Sequence, residues 1–311
     1  MPGTTTIRTV SGPVAASAVA GPVLAHEHLA LDLRTGDDAE GFLAHEDAVT
    51  AELARAADAH GLALVVDQTA RGMGRDVAVL ARISAGSGVD VVAATGWYYA
   101  RFHPDGEPGD DVGRATDLLL ADLLEGIDGT GIRAGVVAEI GTHAEEPTPA
   151  ESIGLRASAR AACRADVSLA THAHLGTGAR AQLDLLLREG LDPARIAIGH
   201  QDLSADEDQQ DELLAAGCYL SFDTVGKESY RPDDARRARI LALVESGYGG
   251  RLLLSNDISR HAYLASEGGQ GYGHVLGPFA DSLRSLGLEI DDIDRLYRRN
   301  ALRWLTGVGT R

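Results

Sequence analysis

Residues 23–29 read Val-Leu-Ala-His-Glu-His-Leu, an apolar run that leads into two histidines. In a β-strand, residues two apart point to the same face, so His26 and His28 can aim at one point while Glu27 turns the other way. Two convergent imidazoles at a strand end suit a metal such as zinc, which takes histidine nitrogens at about 2.0–2.1 Å. The pair alone also fits an ordinary core or surface pair, so its meaning depends on the rest of the chain.

Seven further apolar runs follow this one, and helical patterns separate them. Strands that are buried on both faces read as continuous apolar runs, as these do. Eight such units predict a (β/α)8 barrel, the TIM barrel. A doubly wound open sheet is the runner-up, and it is disfavoured because no Gly-x-Gly-x-x-Gly turn follows the first strand. The predicted strands are 23–29, 63–69, 89–98, 135–142, 168–174, 195–202, 219–226 and 251–258. The predicted helices are 45–60, 77–84, 111–126, 149–166, 179–189, 206–216, 233–246, 275–286 and 291–305.

Composition sets the size of the domain and the classes of partner. The chain has 311 residues, of which 44% are hydrophobic and 24% charged, enough for one large α/β domain. We expect one barrel domain over residues 1–311, with residues 1–21 as an N-terminal extension that forms a short hairpin. The net charge is −18 and no basic run occurs, which argues against nucleic acid or an anionic membrane surface as a partner.

The apolar runs and the cysteines bear on where the protein works. Every apolar run is shorter than the roughly 20 residues of a membrane-spanning helix. Residues 14–25 are rich in Ala and Val, but no basic cluster precedes them and they lead directly into His26. Cys163 and Cys218 stand alone in the sequence, which fits buried thiols in a reducing compartment. We therefore expect a cytoplasmic protein without a membrane segment.

Polar side chains end five of the eight predicted strands. In a barrel they would all lie at the carboxyl-terminal rim, where the active sites of this fold are found. The spacing agrees, because Glu139 and His172 are 33 residues apart, and His172 and His200 are 28 apart, each about one βα unit. Four histidines and two carboxylates exceed what one zinc needs and suit two divalent ions bridged by a carboxylate. The candidate ligands are His26, His28, Glu139, His172, His200 and Asp257.

The motifs that carry these residues resemble the phosphotriesterase-like group of the amidohydrolase superfamily, and the resemblance runs nearly end to end. They are specific in combination and in order. The matching stretches are 26–29, 138–142, 171–172, 199–202, 222–227 and 254–258. The ligands implied by the resemblance are His26, His28 and Asp257 for the more buried metal, His172 and His200 for the more exposed one, and Glu139 as the bridge.

The bridging position departs from the best-known members of that family. They carry a lysine there that is carboxylated by carbon dioxide, whereas this chain has Glu139, as in the subgroup of phosphotriesterase homology proteins. A glutamate supplies the carboxylate directly, although its side chain is shorter. The change puts activity on the well-known organophosphate substrates in doubt, but it leaves metal binding as the expectation.

The resemblance implies hydrolysis of a small molecule. Two metals lower the pKa of a shared water, the hydroxide attacks a carbonyl carbon or phosphorus, and Asp257 accepts the proton. We expect a two-zinc hydrolase of a lactone or related ester, and a phosphorylated sugar lactone is one candidate. The alternatives are a phosphotriesterase or other phosphoester hydrolase and, in another class, a catalytically silent small-molecule binding barrel. Relatives of this kind are often dimers, so the resemblance also allows a homodimer.

Aromatic and histidine side chains near the strand ends are candidates for the pocket. Trp97 and Tyr98 end the third strand, and we assign both to substrate binding and Tyr98, with Asp257, also to the catalytic residues. Tyr98 matches a tyrosine that orients the substrate in lactonases of the family. Simple aromatic packing at the barrel mouth is the alternative. His174 is two residues after His172 and is expected in the pocket or behind a ligand, with His143 nearby.

Two cations follow the last two strands. Lys227 closes the loop after the seventh strand, and Arg260 lies just beyond the eighth. Two cations at the rim of an acidic protein suggest a substrate with a carboxylate or phosphate group. The alternative is a structural role, in which these cations form ion pairs with Asp223 or Glu228.

Overall fold

The computed structural model describes residues 5–36 and 38–307. In these residues, eight parallel strands form one sheet that is nearly closed into a barrel, with helices between the strands. Each strand pairs with its neighbours in chain order, which confirms the predicted TIM barrel over the open-sheet alternative. The strands are β1 (Val23–Glu27), β2 (Leu64–Asp67), β3 (Asp90–Thr95), β4 (Val136–Thr142), β5 (Leu169–Ala173), β6 (Ile196–Ile198), β7 (Tyr219–Phe222) and β8 (Leu252–Leu254).

The helices begin and end at residues with recognisable local chemistry. Thr148 and Glu151 form a reciprocal capping box at the start of one helix, where Pro149 occupies the first turn. Gly61 ends another helix with φ of +72°, a backbone conformation that glycine adopts without strain. The helices are α1 (Glu46–His60), α2 (Val77–Ser87), α3 (Val112–Leu124), α4 (Pro149–Ala165), α5 (Ala179–Arg188), α6 (Glu207–Ala216), α7 (Asp233–Glu245), α8 (Ala280–Ser285), α9 (Ile290–Asp294) and α10 (Asn300–Thr306).

The two C-terminal helices are less regular than predicted. A π-helical turn, Val275–Phe279, precedes α8, and a second one, Arg295–Arg299, lies between α9 and α10. Pro278 has no N–H to donate, and the N–H of Phe279 reaches back five residues to the carbonyl of His274 at 3.1 Å. The spacing of apolar residues predicted these helices, but it did not reveal the two π-helical turns, each of which holds one residue more than an α-helical turn.

The barrel interior is filled by small and branched side chains. Along β1, Val23 and Ala25 point into the barrel, whereas Leu24 packs outward under the helices. Trp304 of α10 belongs to the same interior cluster and is fully buried. Because apolar side chains fill the interior, polar side chains gather at the carboxyl ends of the strands.

Two short hairpins flank the barrel. The first, Thr6–Thr9 paired with Gly12–Ala15, is the hairpin expected in the N-terminal extension. The second, Leu31–Asp32 paired with Phe42–Leu43, lies in the loop after β1 and was not predicted. Among the described helices, none has the length and apolar character needed to cross a bilayer.

The seam between the first and last strands is joined by a side chain. β1 and β8 are the two edges of the sheet. The buried carboxylate of Glu27 accepts hydrogen bonds from Ser255 Oγ, from the Asn256 backbone N–H and from the Ile258 backbone N–H, each at 2.8 Å. Ser255 Oγ in turn accepts from the N–H of His26 at 3.1 Å. Glu27 therefore ties the first ligand-bearing segment to the last.

Candidate metal centre

Glu139 lies at the middle of a buried cluster at the carboxyl ends of the strands. Its Oε2 is 3.0 Å from His28 Nε2, and its Oε1 is 3.1 Å from His172 Nδ1. The same Oε1 lies 3.7 Å from His26 Nε2 and 3.9 Å from His200 Nε2. One carboxylate thus faces all four predicted histidines, which come from three different strands or strand ends.

Asp257 completes the predicted set on the other side of the first two histidines. Its Oδ1 lies 3.4 Å from His28 Nε2 and 3.9 Å from His26 Nε2. Its Oδ2 accepts a hydrogen bond from the ammonium of Lys227. Burial alone would raise the pKa of Asp257, but the nearby Lys227 and the two histidines outweigh it and hold that pKa well below its usual range. All six predicted ligand residues are therefore together.

The cluster has the donor set of a metal site. Two triads, each with one ligand atom per residue within 4.8 Å of the others, share Glu139. Within the described residues, the buried Nε2 atoms of His26 and His172 have no hydrogen-bond partner, which is costly unless a cation or water satisfies them. Burial and the neighbouring His200 lower the pKa of His172 to about 4, so its ring is neutral and has a free lone pair at pH 7. The triads are His26, His28 and Glu139, and Glu139, His172 and His200.

Charge also favours a cation at this position. Burial opposes protonation of His28, but the carboxylates of Glu139 and Asp257 outweigh it and raise the pKa of that ring to about 10. A ring that would hold a proton so strongly lies in a field that attracts positive charge. Imidazole nitrogens with carboxylate oxygens are ligands that zinc and similar divalent ions accept. The residues present therefore fit a metal centre.

Asp223, just after β7, is a member of the site that sequence reasoning missed. Its Oδ1 lies 2.8 Å from His200 Nδ1, and its Oδ2 lies 2.8 Å from His26 Nδ1. Such a carboxylate fixes the tautomer and the orientation of the His200 ring, to which it is hydrogen-bonded, and it attracts the His26 ring by charge. His28 has a neutral partner instead, because its Nδ1 lies 3.0 Å from Thr69 Oγ1. The available signal was the polar residue at the end of the seventh strand, in the matching stretch 222–227, to which we assigned no role beyond a possible ion pair with Lys227 or Arg260.

Three of the predicted ligands have an unusual backbone. Glu139, His200 and Asp257 have φ of +48°, +54° and +51°, in the left-handed region that side chains other than glycine rarely adopt. Each such residue costs on the order of 1–3 kcal/mol unless its surroundings hold it in place. Asp223 accepts from the N–H of His200, and Glu27 accepts from the two N–H groups that flank Asp257. The geometry of the cluster is thus imposed by buried carboxylates.

A cavity of about 230 Å³ lies over the cluster. Tyr98 lines it, and its ring meets the ring of His172 edge-on at a centroid distance of 4.5 Å. His174 also lines the cavity, as expected, and its ring centroid lies 4.4 Å from that of the exposed His143. Burial and the charge of Glu139 raise the pKa of Tyr98, so its hydroxyl is protonated at neutral pH.

Trp97, which the sequence analysis assigned to substrate binding, does not line the cavity. Its side chain is fully buried, it is not among the residues that line the cavity, and its indole N–H donates to Glu107 Oε2 at 2.8 Å. Glu107 is held in turn by the guanidinium of Arg71 at 2.7 Å. The side chain after Gly96 turns behind the cavity wall, whereas Tyr98 turns into the cavity. This position corrects the assignment of Trp97 to substrate contact.

The two cations predicted at the rim both line the cavity, but their partners are not those considered from sequence. Lys227 pairs with Asp257 rather than with Asp223 or Glu228, and it also donates to Ser259 Oγ at 3.3 Å. The reason is topological, because the loop after β7 crosses to the end of β8. The partner of Arg260 is Asp38, as described below.

Buried histidines and carboxylates at the carboxyl rim of a TIM barrel define a class of enzyme, the metal-dependent hydrolases. Residues 5–305 match the sequence model of the Phosphotriesterase family, and the chain belongs to that family. Its members are hydrolases.

The relatives span several activities. The phosphotriesterase homology protein of Escherichia coli is 34% identical over 280 residues, covering 90% of this chain and 96% of that protein. Its crystal structure, with phosphate in the active site, gives a TM-score of 0.89 over 92% of this chain and 99% of that one. N-acetyltaurine hydrolase of Rattus norvegicus is 33% identical, covering 80% and 74%. A lactonase from Listeria monocytogenes has a TM-score of 0.89 at 26% identity, covering 97% and 99%.

Proposed function

We propose that the enzyme is a two-zinc hydrolase that opens a lactone or a related ester carrying an anionic group. The observation that carries the proposal is the sharing of Glu139 by two buried ligand triads beneath a cavity that three cations, Arg101, Lys227 and Arg260, line. Bound zinc ions would supply water of lowered pKa and polarise the acyl oxygen. The residues that would hold the ions are His26, His28 and Asp257 for one, His172 and His200 for the other, and Glu139 for both.

Asp257 is the proposed proton acceptor. One of its oxygens faces the histidine pair, and the other is held by Lys227, so the carboxylate has a fixed orientation toward the cluster. Because its pKa is held low, it is ionised and able to accept a proton from water at neutral pH. Tyr98, protonated and half-buried beside His172, donates a hydrogen bond from its hydroxyl to the substrate and orients the acyl group.

The substrate class follows from the cations and is supported by the relatives. A guanidinium offers two parallel donors to a carboxylate, phosphate or sulfonate, and Arg260 lines the cavity. Among the relatives, one is a lactonase, and another is named for N-acetyltaurine, an acylated sulfonate. A phosphorylated or carboxylated lactone therefore fits both the metal cluster and the wall of the cavity.

A second candidate, hydrolysis of a phosphoester, is favoured by one observation. The structure of the Escherichia coli relative has phosphate in its active site. A silent binding barrel is disfavoured, because all six proposed ligand positions and the proposed proton acceptor are present. We also propose a cytoplasmic location, supported by the unpaired Cys163 and Cys218. A homodimer stays a prediction that analytical ultracentrifugation would test.

The test is metal analysis combined with a substrate panel. We expect about two zinc ions per chain, loss of turnover on chelation, and recovery when zinc is restored. The panel compares a neutral lactone, the same lactone with a phosphate or carboxylate, and a matched phosphoester. We expect the anionic lactone to have a kcat/KM at least about tenfold above the neutral one, since a charge-assisted hydrogen bond contributes about 1.5–3 kcal/mol. A metal-free chain with full turnover, or a preference for the phosphoester, would contradict the proposal.

A further inference from the structure

An ion pair crosses the mouth of the cavity between two loops that are far apart in the chain. Arg260 Nη1 donates to Asp38 Oδ1 at 2.9 Å, and Nη2 donates to Oδ2 at 2.5 Å. Asp38 belongs to the loop after β1, and Arg260 follows β8. Both residues line the cavity over the metal cluster. The two-pronged geometry is the one that a guanidinium adopts with the carboxylate or phosphate of a ligand.

The two cations predicted at the rim, Lys227 and Arg260, differ in how firmly they are held, and the exposed Arg101 also lines the cavity. Lys227 and Asp257 are buried, with side-chain exposures of 5% and 11%, so separating them would leave a buried charge unpaired. Arg260 and Asp38 are 30% and 40% exposed, so solvent screens the pair, and even with its two-pronged geometry it contributes only about 1 kcal/mol, the upper value for an exposed pair. Arg260 is therefore the cation whose partner an incoming anion can replace.

The Asp38 carboxylate can move without disturbing the barrel. Its backbone is closed on itself, because the N–H of Thr35 donates to the carbonyl of Asp38 at 2.9 Å and the reverse bond is 3.2 Å. The hairpin of Leu31–Asp32 and Phe42–Leu43 closes the base of the loop on the barrel side. A rotation of the Asp38 side chain away from Arg260 therefore breaks that ion pair and the hydrogen bond that Asp38 Oδ1 accepts from the N–H of Glu40 at 3.0 Å, and it leaves the hairpin paired.

We propose that Asp38 is a specificity-determining residue that occupies Arg260 in place of the anionic group of the substrate and is displaced when that group binds. The inference rests on the anionic substrate of the proposed function. A neutral molecule has no charged group that could replace Asp38 at Arg260, so the ion pair across the mouth of the cavity stays intact. An anion of matching geometry replaces Asp38, so the affinity for anions is the difference between two similar contacts.

The experiment measures binding without turnover. Methanesulfonate, a weakly coordinating anion, is titrated calorimetrically into the zinc-loaded protein and its variants. Asp38→Asn removes the competing charge and should lower the dissociation constant about fivefold, the factor that corresponds to a surface ion pair of about 1 kcal/mol. Arg260→Gln should weaken binding by at least tenfold, and adding Asp38→Asn to it should give no recovery.

A matched control comes from the same loop. Asp32 pairs with Arg34, is not among the residues that line the cavity, and Asp32→Asn makes the same change in net charge. We expect it to change the dissociation constant by less than twofold. The inference is overturned if Asp38→Asn does not tighten binding, if Asp32→Asn tightens it equally, or if the gain persists without Arg260. Because no hydrolysis is measured, failure on lactones would count against the proposed function and leave this result standing.

Discussion

Two parts of the site are held in different ways. One is the cluster of candidate metal ligands, and the other is the charged wall of the cavity, formed by Asp38, Lys227 and Arg260. The cluster lies at the ends of strands, is buried, and has two of its four rings, His26 and His200, in contact with the carboxylate of Asp223. The wall lies on loops, and the side chains of its outer pair, Arg260 and Asp38, are 30% and 40% exposed. The ligand cluster, which would activate water, is therefore rigid. The wall, which would select the substrate, contains a contact that a ligand can replace, the pair of Asp38 and Arg260. Lys227 belongs to both, since it lines the cavity and binds Asp257.

The largest effect is expected for Glu139→Gln, which would break the centre itself. The amide keeps the size of the side chain but has a single useful ligand oxygen and no charge. We expect one metal to be lost or weakened and kcat/KM to fall by about 10⁴-fold, since the charge stabilisation that a metal ion supplies in the transition state is worth several kcal/mol. Glu146→Gln, the same change at an exposed position beyond β4, should be silent. Two metals bound as tightly as in the wild type would remove Glu139 from the bridge.

Asp257→Asn should separate metal holding from turnover. The shape of the side chain is nearly kept, but the proposed proton acceptor is gone. We expect kcat to fall about 10²–10³-fold with much of the metal retained, since general-base catalysis contributes about 10²–10⁴-fold. Kinetics and metal content are measured on the same preparation. Near-normal kcat would exclude Asp257 as the base.

Asp223→Asn tests whether the carboxylate behind the histidines gives the cluster its rigidity. An amide can still contact one ring, but it no longer attracts the other by charge, so metal affinity should fall about 10–100-fold. Excess zinc should restore most of the turnover, because Asp223 is not itself proposed as the base. Competition with a chromogenic chelator measures the affinity. A variant that binds zinc normally would show that the rings are held by packing alone.

Lys227→Met connects the two regions and should change the pH profile. Lys227 helps to lower the pKa of Asp257, so its removal raises that pKa. The ionised carboxylate is then lost at a higher pH on acidification, and the acid limb of kcat/KM moves upward in pH. For an anionic lactone we also expect about a tenfold loss, the value of one charge-assisted hydrogen bond. An unchanged acid limb would mean that Lys227 does not control Asp257.

The smallest effect on catalysis is expected for Trp97→Phe, because Trp97 lies behind the cavity wall. The indole is outside the cavity, so KM and kcat should stay within about threefold, while the lost hydrogen bond to Glu107 lowers stability by about 1 kcal/mol. Thermal unfolding and steady-state kinetics check the two parts. A tenfold change in KM would return Trp97 to the substrate contacts.

Sequence reasoning worked best where a local pattern determines the structure. The apolar runs predicted all eight strands, and the spacing of Glu139, His172 and His200 predicted that they would meet, because each βα unit returns the chain to the same rim. Asp223 was missed because its role depends on two rings from other strands. The partner of Lys227 was missed for the same reason, since Asp257 is 30 residues away and nearer acids were available.

The seam at Glu27 also bears on how the protein is made. His26, His28 and Glu27 leave the ribosome early, whereas Ser255, Asn256, Asp257 and Ile258 emerge near the end of translation. Domains generally fold from the N-terminus during synthesis, but here the barrel can close only when β8, the last strand, is available to lie beside β1. A nascent chain that ends before residue 252 has no segment for Glu27 to hold. The cluster that includes Asp257 can therefore be completed only after the last strand has been made.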